Sequence, residues 1–372
     1  MSGGFRVAVL GLRPGPGGIG RVMVNLFTGM IRCGVELDLL LPFGDYPELE
    51  ASNLALPMFR LDGEDPERAL GQLVRYLTDR KPNALLSNKD QTNALLARMP
   101  RGAGHPFTVF RVGTHIPAKL RRSAPLTAWL KRRRLAAAYR RADALIGISR
   151  GVGEALVQMT GPGGPPVYTI WNPVDLDNIR LQAAQAPDHP WLADKEGPVI
   201  VSVGRLVAAK DFGTLLRAFA RMRRSLKCRL IVLGEGGQRR RLTALADSLG
   251  VAADFDLPGF RSNPFALMGR ADLFVISSIF EGANNALMEA LALGTPCVAT
   301  DCPSGPREIL DDGRLGRLVK VGDVDGLADA MQAAMESSPD RELLRQAAQR
   351  FDLNASVGRY LAILQGGTGL PP

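Results

Sequence analysis

Asp272-Leu-Phe-Val-Ile-Ser277, followed closely by Glu281-Gly-Ala-Asn-Asn-Ala-Leu-Met-Glu289, is the stretch on which the fold of this chain turns. The first run is apolar and strand-like, and the second opens a helix-like segment, so together they form a strand-to-helix corner. A helix N-terminus leaves its first four amides without intrahelical partners and carries partial positive charge. Gly282, Ala283, Asn284 and Asn285 are therefore suited to holding phosphate oxygens. Helical side chains lean toward the N-terminus, so Glu289 reaches a group just beyond the phosphates, where a ribose fits. The corner predicts a nucleotide-diphosphate site with a carboxylate, Glu281 or Glu289, at each end.

Outward from that corner, apolar strand-like runs alternate with helical patterns along the whole chain. In the first half the predicted strands are Phe5 to Leu12, Val35 to Pro42, Ala84 to Ser87, Phe107 to Val112, Asp143 to Ser149 and Val167 to Trp171. Helical stretches lie near 18 to 32, 66 to 80, 119 to 141 and 150 to 159. The second half offers Pro198 to Gly204, Arg229 to Gly234, Phe255 to Pro258, Asp272 to Ser277, Pro296 to Thr300 and Gly316 to Val321. Such alternation implies parallel sheets with helices on both faces. The predicted fold class is α/β, with two Rossmann-like doubly wound domains, residues 1–175 and 198–350, facing across a cleft. Residues 176–197, rich in Pro, Ala and Gln, read as a linker with little core. Ligands of such sheets sit beyond the carboxyl ends of the strands, which places the expected site in the cleft.

Composition narrows the function classes. A chain of 372 residues with 46% hydrophobic content is long enough for two domains and too apolar to be disordered. No apolar run approaches the length of a membrane span, and the opening Met-Ser-Gly-Gly-Phe-Arg-Val-Ala-Val-Leu lacks the plan of a signal peptide, so a cytoplasmic location is expected. Four scattered cysteines and three histidines make a zinc site an unfavoured reading. Of the net charge of +9, residues 101–150 hold twelve Lys or Arg against the single acid Asp143. Lys119, Arg121 and Arg122, then Lys131, Arg132, Arg133 and Arg134, interleave with Leu120, Trp129, Leu130 and Leu135, as in an interfacial helix facing anionic lipid. A solvated helix face competes with that reading. Nucleic acid is not an expected partner, since no recognised module surrounds the patch.

Four further features converge on the predicted cleft. Gly204-Arg205 ends a strand, with Lys210 five residues on, and two cations there could neutralise a departing diphosphate; an ordinary surface pair at a turn is the competing reading. Gly234-Glu-Gly-Gly237 also follows a strand and lets backbone approach a ligand. Gly15-Pro-Gly-Gly-Ile-Gly20 formally matches the dinucleotide fingerprint, but Leu12-Arg13-Pro14 separate it from its strand and Asp38 falls mid-strand, so Gly17 and Gly18 read as a flexible loop bordering the cleft. His115 follows an apolar strand, where it can meet a reacting carbon or simply be structural.

The run from Glu281 to Asp301 resembles the E-x7-E signature of the GT4 family of retaining glycosyltransferases, which have the GT-B fold. Val203-Gly-Arg-Leu206 with Lys210, Leu233-Gly-Glu-Gly236, Ile170-Trp-Asn-Pro-Val-Asp175, Asp143-Ala-Leu-Ile-Gly-Ile-Ser149 and the Gly17-Gly18 loop are similar to that family in order and spacing. The stretch Asp301 to Leu310 resembles the branch that builds bacterial surface polysaccharides, lipopolysaccharide cores and lipid-linked oligosaccharides. The resemblance implies that Glu289 binds the ribose hydroxyls and that amides of Gly282, Ala283, Asn284, Asn285, Ala286 and Leu287 hold the diphosphate, with Gly204 and Gly234 lining the nucleotide sugar. It further implies that Arg205 and Lys210 stabilise the leaving charge, Glu281 lies beside the donor sugar and His115 lies near the anomeric centre. Glu308 either shapes the donor pocket or caps a helix. Implied with these are a nucleotide-sugar donor, UDP before GDP or ADP, a saccharide or lipid-linked acceptor at the anionic inner membrane surface, no cofactor or metal, and a last helix, 351–366, returning to the first domain.

Three other classes give different expectations. A metal-dependent transferase would use an Asp-x-Asp clamp, and that pattern occurs at Asp175/Asp177, Asp254/Asp256 and Asp323/Asp325. A two-domain sugar- or nucleotide-binding protein needs an export signal or DNA-reading domain. An NAD-dependent oxidoreductase needs an acid at the end of the second strand.

Overall fold

The computed structural model describes residues 4–11, 18–41, 49–50, 52, 54–100, 102, 105–121, 123–337 and 340–366. The chain divides into two compact units, Met1–Pro173 with Leu353–Pro372, and Val174–Asp352. The first holds a parallel sheet of seven strands: β1 Arg6–Leu10, β2 Glu36–Leu41, β3 Met58–Arg60, β4 Ala84–Ser87, β5 Phe107–Val112, β6 Ala144–Gly147 and β7 Val167–Thr169, in the order β3-β2-β1-β4-β5-β6-β7. The second holds six: β8 Val199–Val203, β9 Arg229–Leu233, β10 Phe255–Gly259, β11 Leu273–Ile276, β12 Cys297–Thr300 and β13 Arg317–Val319, in the order β10-β9-β8-β11-β12-β13. Both orders are doubly wound, and each reverses beside its first strand: between β1 and β4, and between β8 and β11. Runs such as Val-Ile-Val-Ser-Val and Leu-Phe-Val-Ile take central places because helices cover both faces and every residue on them must tolerate burial.

The structure departs from the sequence reading in several places. β3 was not anticipated; it is a three-residue edge strand with exposed Met58 and Arg60, so no apolar run marks it. The single helix expected near 119–141 is two, Ile116–Leu120 and Pro125–Tyr139, because Pro125 lacks the N–H that would continue the first. Residues 176–197 are not a loose linker. They form helices Leu176–Ala183 and Pro190–Ala193, which bury Leu176, Ile179 and Leu192, and the first packs on helices Phe265–Met268 and Asn285–Leu293. Apolar side chains at that spacing give each helix a face to bury, which a solvent-exposed tether would leave in water.

Helix Leu353–Leu364 completes the first unit, packing on helix Gly18–Arg32 and strands β4 and β5, with Leu353, Val357, Tyr360, Ile363 and Leu364 in the core. Gly29 allows this approach: a Cβ there would come within 2.4 Å of Val357. Arg111 of β5 fastens the helix. It is 3% exposed, and its guanidinium donates to the Tyr360 hydroxyl at 3.0 Å and to the side-chain carbonyls of Asn88 and Asn172. Three neutral oxygens thus solvate a cation that would be costly to bury without hydrogen-bond partners.

Candidate active site

The site is built in the second unit where the exits of β8 and β11 diverge. The 3-10 turn Ala208–Lys210 follows β8, and the segment after β11 is sewn to it: the Ile279 amide donates to the Ala209 carbonyl at 2.8 Å and the Ser277 hydroxyl to the Lys210 carbonyl at 2.9 Å. Gly204, at the end of β8, leaves room for the stem of Lys210, whose Cε lies 3.3 Å from where a Cβ would stand. Lys210 Nζ consequently meets Glu281 Oε1 at 2.5 Å. The same oxygen accepts from the Ser278 hydroxyl at 2.6 Å and from Asn284 Nδ2 at 2.8 Å. Glu281 is thereby a fixed, charge-balanced carboxylate with a side chain 11% exposed. Arg205 is exposed at the end of β8.

Helix Asn285–Leu293 begins at this point. Asn284 is its N-cap, with Oδ1 accepting from the Leu287 amide at 3.0 Å, so one side chain both caps the helix and holds Glu281. The Leu287 amide, one of those the resemblance assigns to the diphosphate, is here satisfied by that cap. Gly282, Ala283 and Asn284 are buried, and Asn285 and Ala286 half-buried, in the loop and first turn. The Ser304 hydroxyl donates to the Gly282 carbonyl at 2.6 Å, and Gly305, at φ +94°, lies where a Cβ would be 3.3 Å from Ala283 Cα. Glu289 is buried one turn into the helix, and Glu308 sits in the short helix Pro306–Ile309.

Gly234 and Gly236 have a tighter reason than ligand approach. A Cβ on Gly234 would lie 2.0 Å from the Gly204 carbonyl oxygen, and one on Gly236 2.5 Å from that of Leu206, at φ of +141° and +153°. The glycines let the β9 exit lie directly on the β8 exit, joined by Leu206 N to Glu235 O at 2.8 Å and Gly204 N to Leu233 O at 2.9 Å. The three thiols of this unit, Cys228, Cys297 and Cys302, are buried and are not available as nucleophiles. Burial pushes Cys302 up to about 12, helped by the Glu281 carboxylate, and Cys228 to about 11, while Cys297 is also raised by burial.

In the first unit, His115 follows β5 and caps helix Ile116–Leu120, with Nδ1 accepting from the Ala118 amide at 3.1 Å. An accepting Nδ1 puts the proton of the neutral ring on Nε2. Burial, reinforced by the Arg121 charge, lowers its pKa below the usual histidine value, so the ring is neutral at physiological pH. Gly18 is the first residue of helix Gly18–Arg32; Gly17 and the rest of the preceding loop, like Arg122, lie outside the described residues. Asp38 is buried in β2 and bound to Arg80 at 3.0 Å and the Tyr76 hydroxyl at 2.7 Å, so it is not presented to a dinucleotide ribose. The Asp-x-Asp carboxylates are each engaged. Asp175 and Asp323 cap helices, Asp177 pairs with Arg180, Asp254 with Arg223, Asp256 with His189 and Asp325 with Arg221. Of the basic stretch, Lys119 is paired with Asp90 at 3.2 Å rather than free, whereas Arg121, Lys131, Arg132, Arg133 and Arg134 are exposed. No helix among the described residues is long and apolar enough to cross a membrane.

Two doubly wound units, the second with a charge-balanced glutamate and a capped helix at its switch point, are the architecture of the GT-B fold. Residues 187–351 match the family model described as glycosyl transferases group 1, and residues 17–170 match that of the glycosyl transferase 4-like domain. The chain is 34% identical over 211 residues to the N-acetylgalactosamine-N,N'-diacetylbacillosaminyl-diphospho-undecaprenol 4-alpha-N-acetylgalactosaminyltransferase of Campylobacter jejuni, covering 57% of this chain and 56% of that protein. It is 33% identical over 174 residues to the lipopolysaccharide core biosynthesis glycosyltransferase LpsE of Rhizobium meliloti, covering 45% and 50%. The chain spans about half the length of the curated relatives it matches. The structure of Anabaena HepE, solved in complex with UDP, shares the fold with a TM-score of 0.80 at 19% identity, over 97% of this chain and 100% of that one.

Proposed function

We propose that this chain is a retaining, metal-independent glycosyltransferase. It moves a hexose or N-acetylhexosamine from a UDP-sugar to a saccharide or lipid-linked saccharide in the assembly of a bacterial surface glycan. The observation that carries the reading is the triple hold on Glu281 Oε1 by Lys210, Ser278 and Asn284 at the head of helix Asn285–Leu293. A carboxylate so fixed serves as an acceptor for sugar hydroxyls, and Lys210 and Arg205 supply positive charge where diphosphate charge develops. In the proposed step the acceptor hydroxyl oxygen bonds to the anomeric carbon on the face from which the diphosphate leaves. The bond from that carbon to the diphosphate oxygen breaks, and the hydroxyl proton passes to the diphosphate. Amides around Gly282 to Ala286 hold the diphosphate and Glu289 the ribose. Independence from metal rests on Lys210 and Arg205 supplying that positive charge.

The choice of UDP draws on the HepE structure in complex with UDP, and that of a lipid-linked acceptor on the Campylobacter relative named for a diphospho-undecaprenol substrate. Such an acceptor brings the reaction to the anionic inner face of the cell membrane. A thermal-stabilisation screen of nucleotide sugars tests the donor, since a ligand that binds only the folded protein raises its melting point. Stabilisation by UDP-sugars, with turnover persisting in EDTA and an axial or equatorial anomer conserved in the product, is the expected set. Turnover abolished by EDTA, or an inverted product, would reject it.

A further inference from the structure

A cavity of about 90 Å³ opens in the second unit, separate from the corner that holds Glu281. Val207, Ala208 and Asp211 line it, whereas Lys210, between them in sequence, sends its amine to Glu281 instead. The floor is apolar, made by Phe212 of helix Phe212–Met222 and by Leu242 and Leu245 of helix Arg239–Ser248. Arg217 of the first helix and Arg241 of the second are exposed at its rim, beside half-buried Gln238. Neither guanidinium has a hydrogen bond or an ion pair among the described residues. Gly213 shows how the polar groups converge. A Cβ there would lie 3.3 Å from Arg217 Nη1, 3.8 Å from Asp211 Oδ1 and 3.9 Å from Leu245 Cδ2. A cation, a carboxylate and an apolar wall thus border one open point without pairing across it. The Asp211 carboxylate is held in place there, because Oδ2 accepts from the Thr214 hydroxyl at 2.7 Å and leaves Oδ1 open. Unpaired guanidiniums over an apolar floor attract an anion more strongly than they would on an open, wet surface.

We infer that this cavity binds a phosphate group, free or as an ester, at a site distinct from the diphosphate corner. Arg217 and Arg241 meet the anionic oxygens with the planar fork that suits phosphate, and the Gln238 side-chain amide donates beside them. Asp211 makes the choice of anion. Its carboxylate repels a fully ionised oxyanion, but Oδ1 accepts from the P–O–H that phosphate keeps at neutral pH and sulfate lacks. A single water needs about 10–15 Å³ of such space, so the cavity has room for a tetrahedral oxyanion. Its wall is also the wall of the active site. The 3-10 turn Ala208–Lys210 has the cavity on one side, and on the other it is tied to the segment after β11 through the Ala209 and Lys210 carbonyls. A phosphate in the cavity therefore bears on the placement of Lys210 Nζ against Glu281. Binding is tested without any sugar substrate; only its effect on turnover rests on the transferase reading.

Equilibrium dialysis of the full chain against radiolabelled inorganic phosphate at constant ionic strength measures the site. Saturable binding is expected, and R217Q/R241Q should weaken it by about 100-fold, since two charge-assisted partners are lost. The melting temperature of that variant should stay near wild type, because both side chains are exposed. R205Q/K210Q, which strips the diphosphate corner of its cations, should keep the binding. Sulfate should compete at least about tenfold more weakly than phosphate, and D211N should erase that preference. Competition by phenyl phosphate separates the sources: displacement stronger than by unlabelled phosphate assigns the site to an ester with an apolar body, and weaker displacement to the free ion. In UDP-sugar turnover, phosphate should shift the donor KM by about fivefold or more in wild type and leave that of R217Q/R241Q unmoved. Absence of saturable binding, binding lost in R205Q/K210Q but kept in R217Q/R241Q, or equal competition by sulfate and chloride would overturn the inference. A donor KM indifferent to phosphate in wild type would overturn the link to Lys210.

Discussion

Replacing Lys210 by alanine separates two roles that the Lys210–Glu281 pair combines. At 2.5 Å and an effective dielectric of about 20, the gross attraction is roughly 7 kcal/mol, most of it offset by the desolvation of both ions. What the variant loses is the partner of a carboxylate that stays 11% exposed. Such losses cost about 3–5 kcal/mol when the site is fully dry. Here Glu281 keeps its bonds from Ser278 and Asn284, and Lys210 is 22% exposed, so about 2 kcal/mol is the expected fall in unfolding free energy. Turnover should fall further, by about 10²–10³-fold, as when a charge partner of the transition state is removed. Adding Glu281→Gln to Lys210→Ala removes the orphaned charge and should restore most of the stability while leaving turnover low. Urea unfolding and UDP release from a UDP-sugar measure the two quantities. If Lys210→Ala unfolds like wild type and turns over at the wild-type rate, the pair has neither role; if the double variant recovers turnover as well, Lys210 serves only to neutralise Glu281.

Three other outcomes follow from the packing and charges already described. Gly234→Ala places a methyl 2.0 Å from the Gly204 carbonyl and should destabilise by roughly 2–4 kcal/mol, whereas Gly237→Ala, with nothing within 4 Å of the new carbon, should be close to neutral; thermal unfolding of both compares them directly. Arg111→Met strips Tyr360, Asn88 and Asn172 of their shared donor and should cost about 3 kcal/mol in urea, a loss that Arg111→Lys recovers only in part because one ammonium cannot reach three separate oxygens. The pKa of His115 is lower folded than unfolded, so the unfolded chain takes up the proton first and stability falls as pH drops through the ordinary histidine value near 6.5. His115→Gln should flatten that part of the stability profile between about pH 7 and 5, and an unchanged slope would place the titration elsewhere.

Central strands were legible because burial on both faces leaves an unbroken apolar run, as in Val199–Val203 and Leu273–Ile276. The strand-to-helix corner was legible because Asn284 is a capping residue before a helical run. The edge strand Met58–Arg60 was hidden for the opposite reason: two of its three side chains face water. The helices at 176–183 and 190–193 did leave a trace in Leu176, Ile179 and Leu192, but it was outweighed by the Pro and Ala around them. The packing reason for Gly234 was hidden because its neighbour, the Gly204 carbonyl, is brought there by strand order and not by nearby sequence. Arg111 was counted only as one of the twelve cations of residues 101–150, inside the predicted strand Phe107 to Val112. Its partners lie 23, 61 and 249 residues away, beyond any local pattern.

The helix at 353–364 carries a consequence for synthesis. Five of its side chains fill the core of a unit whose strands are all made before residue 170. On the ribosome that unit must wait, with Val357 missing from beside Gly29 and Arg111 lacking Tyr360, until residue 364 has been added. The later unit, encoded without interruption from Val174 to Asp352, has every part it needs while its predecessor is still unfinished. Release of the chain before residue 353 would therefore damage the unit that was translated first.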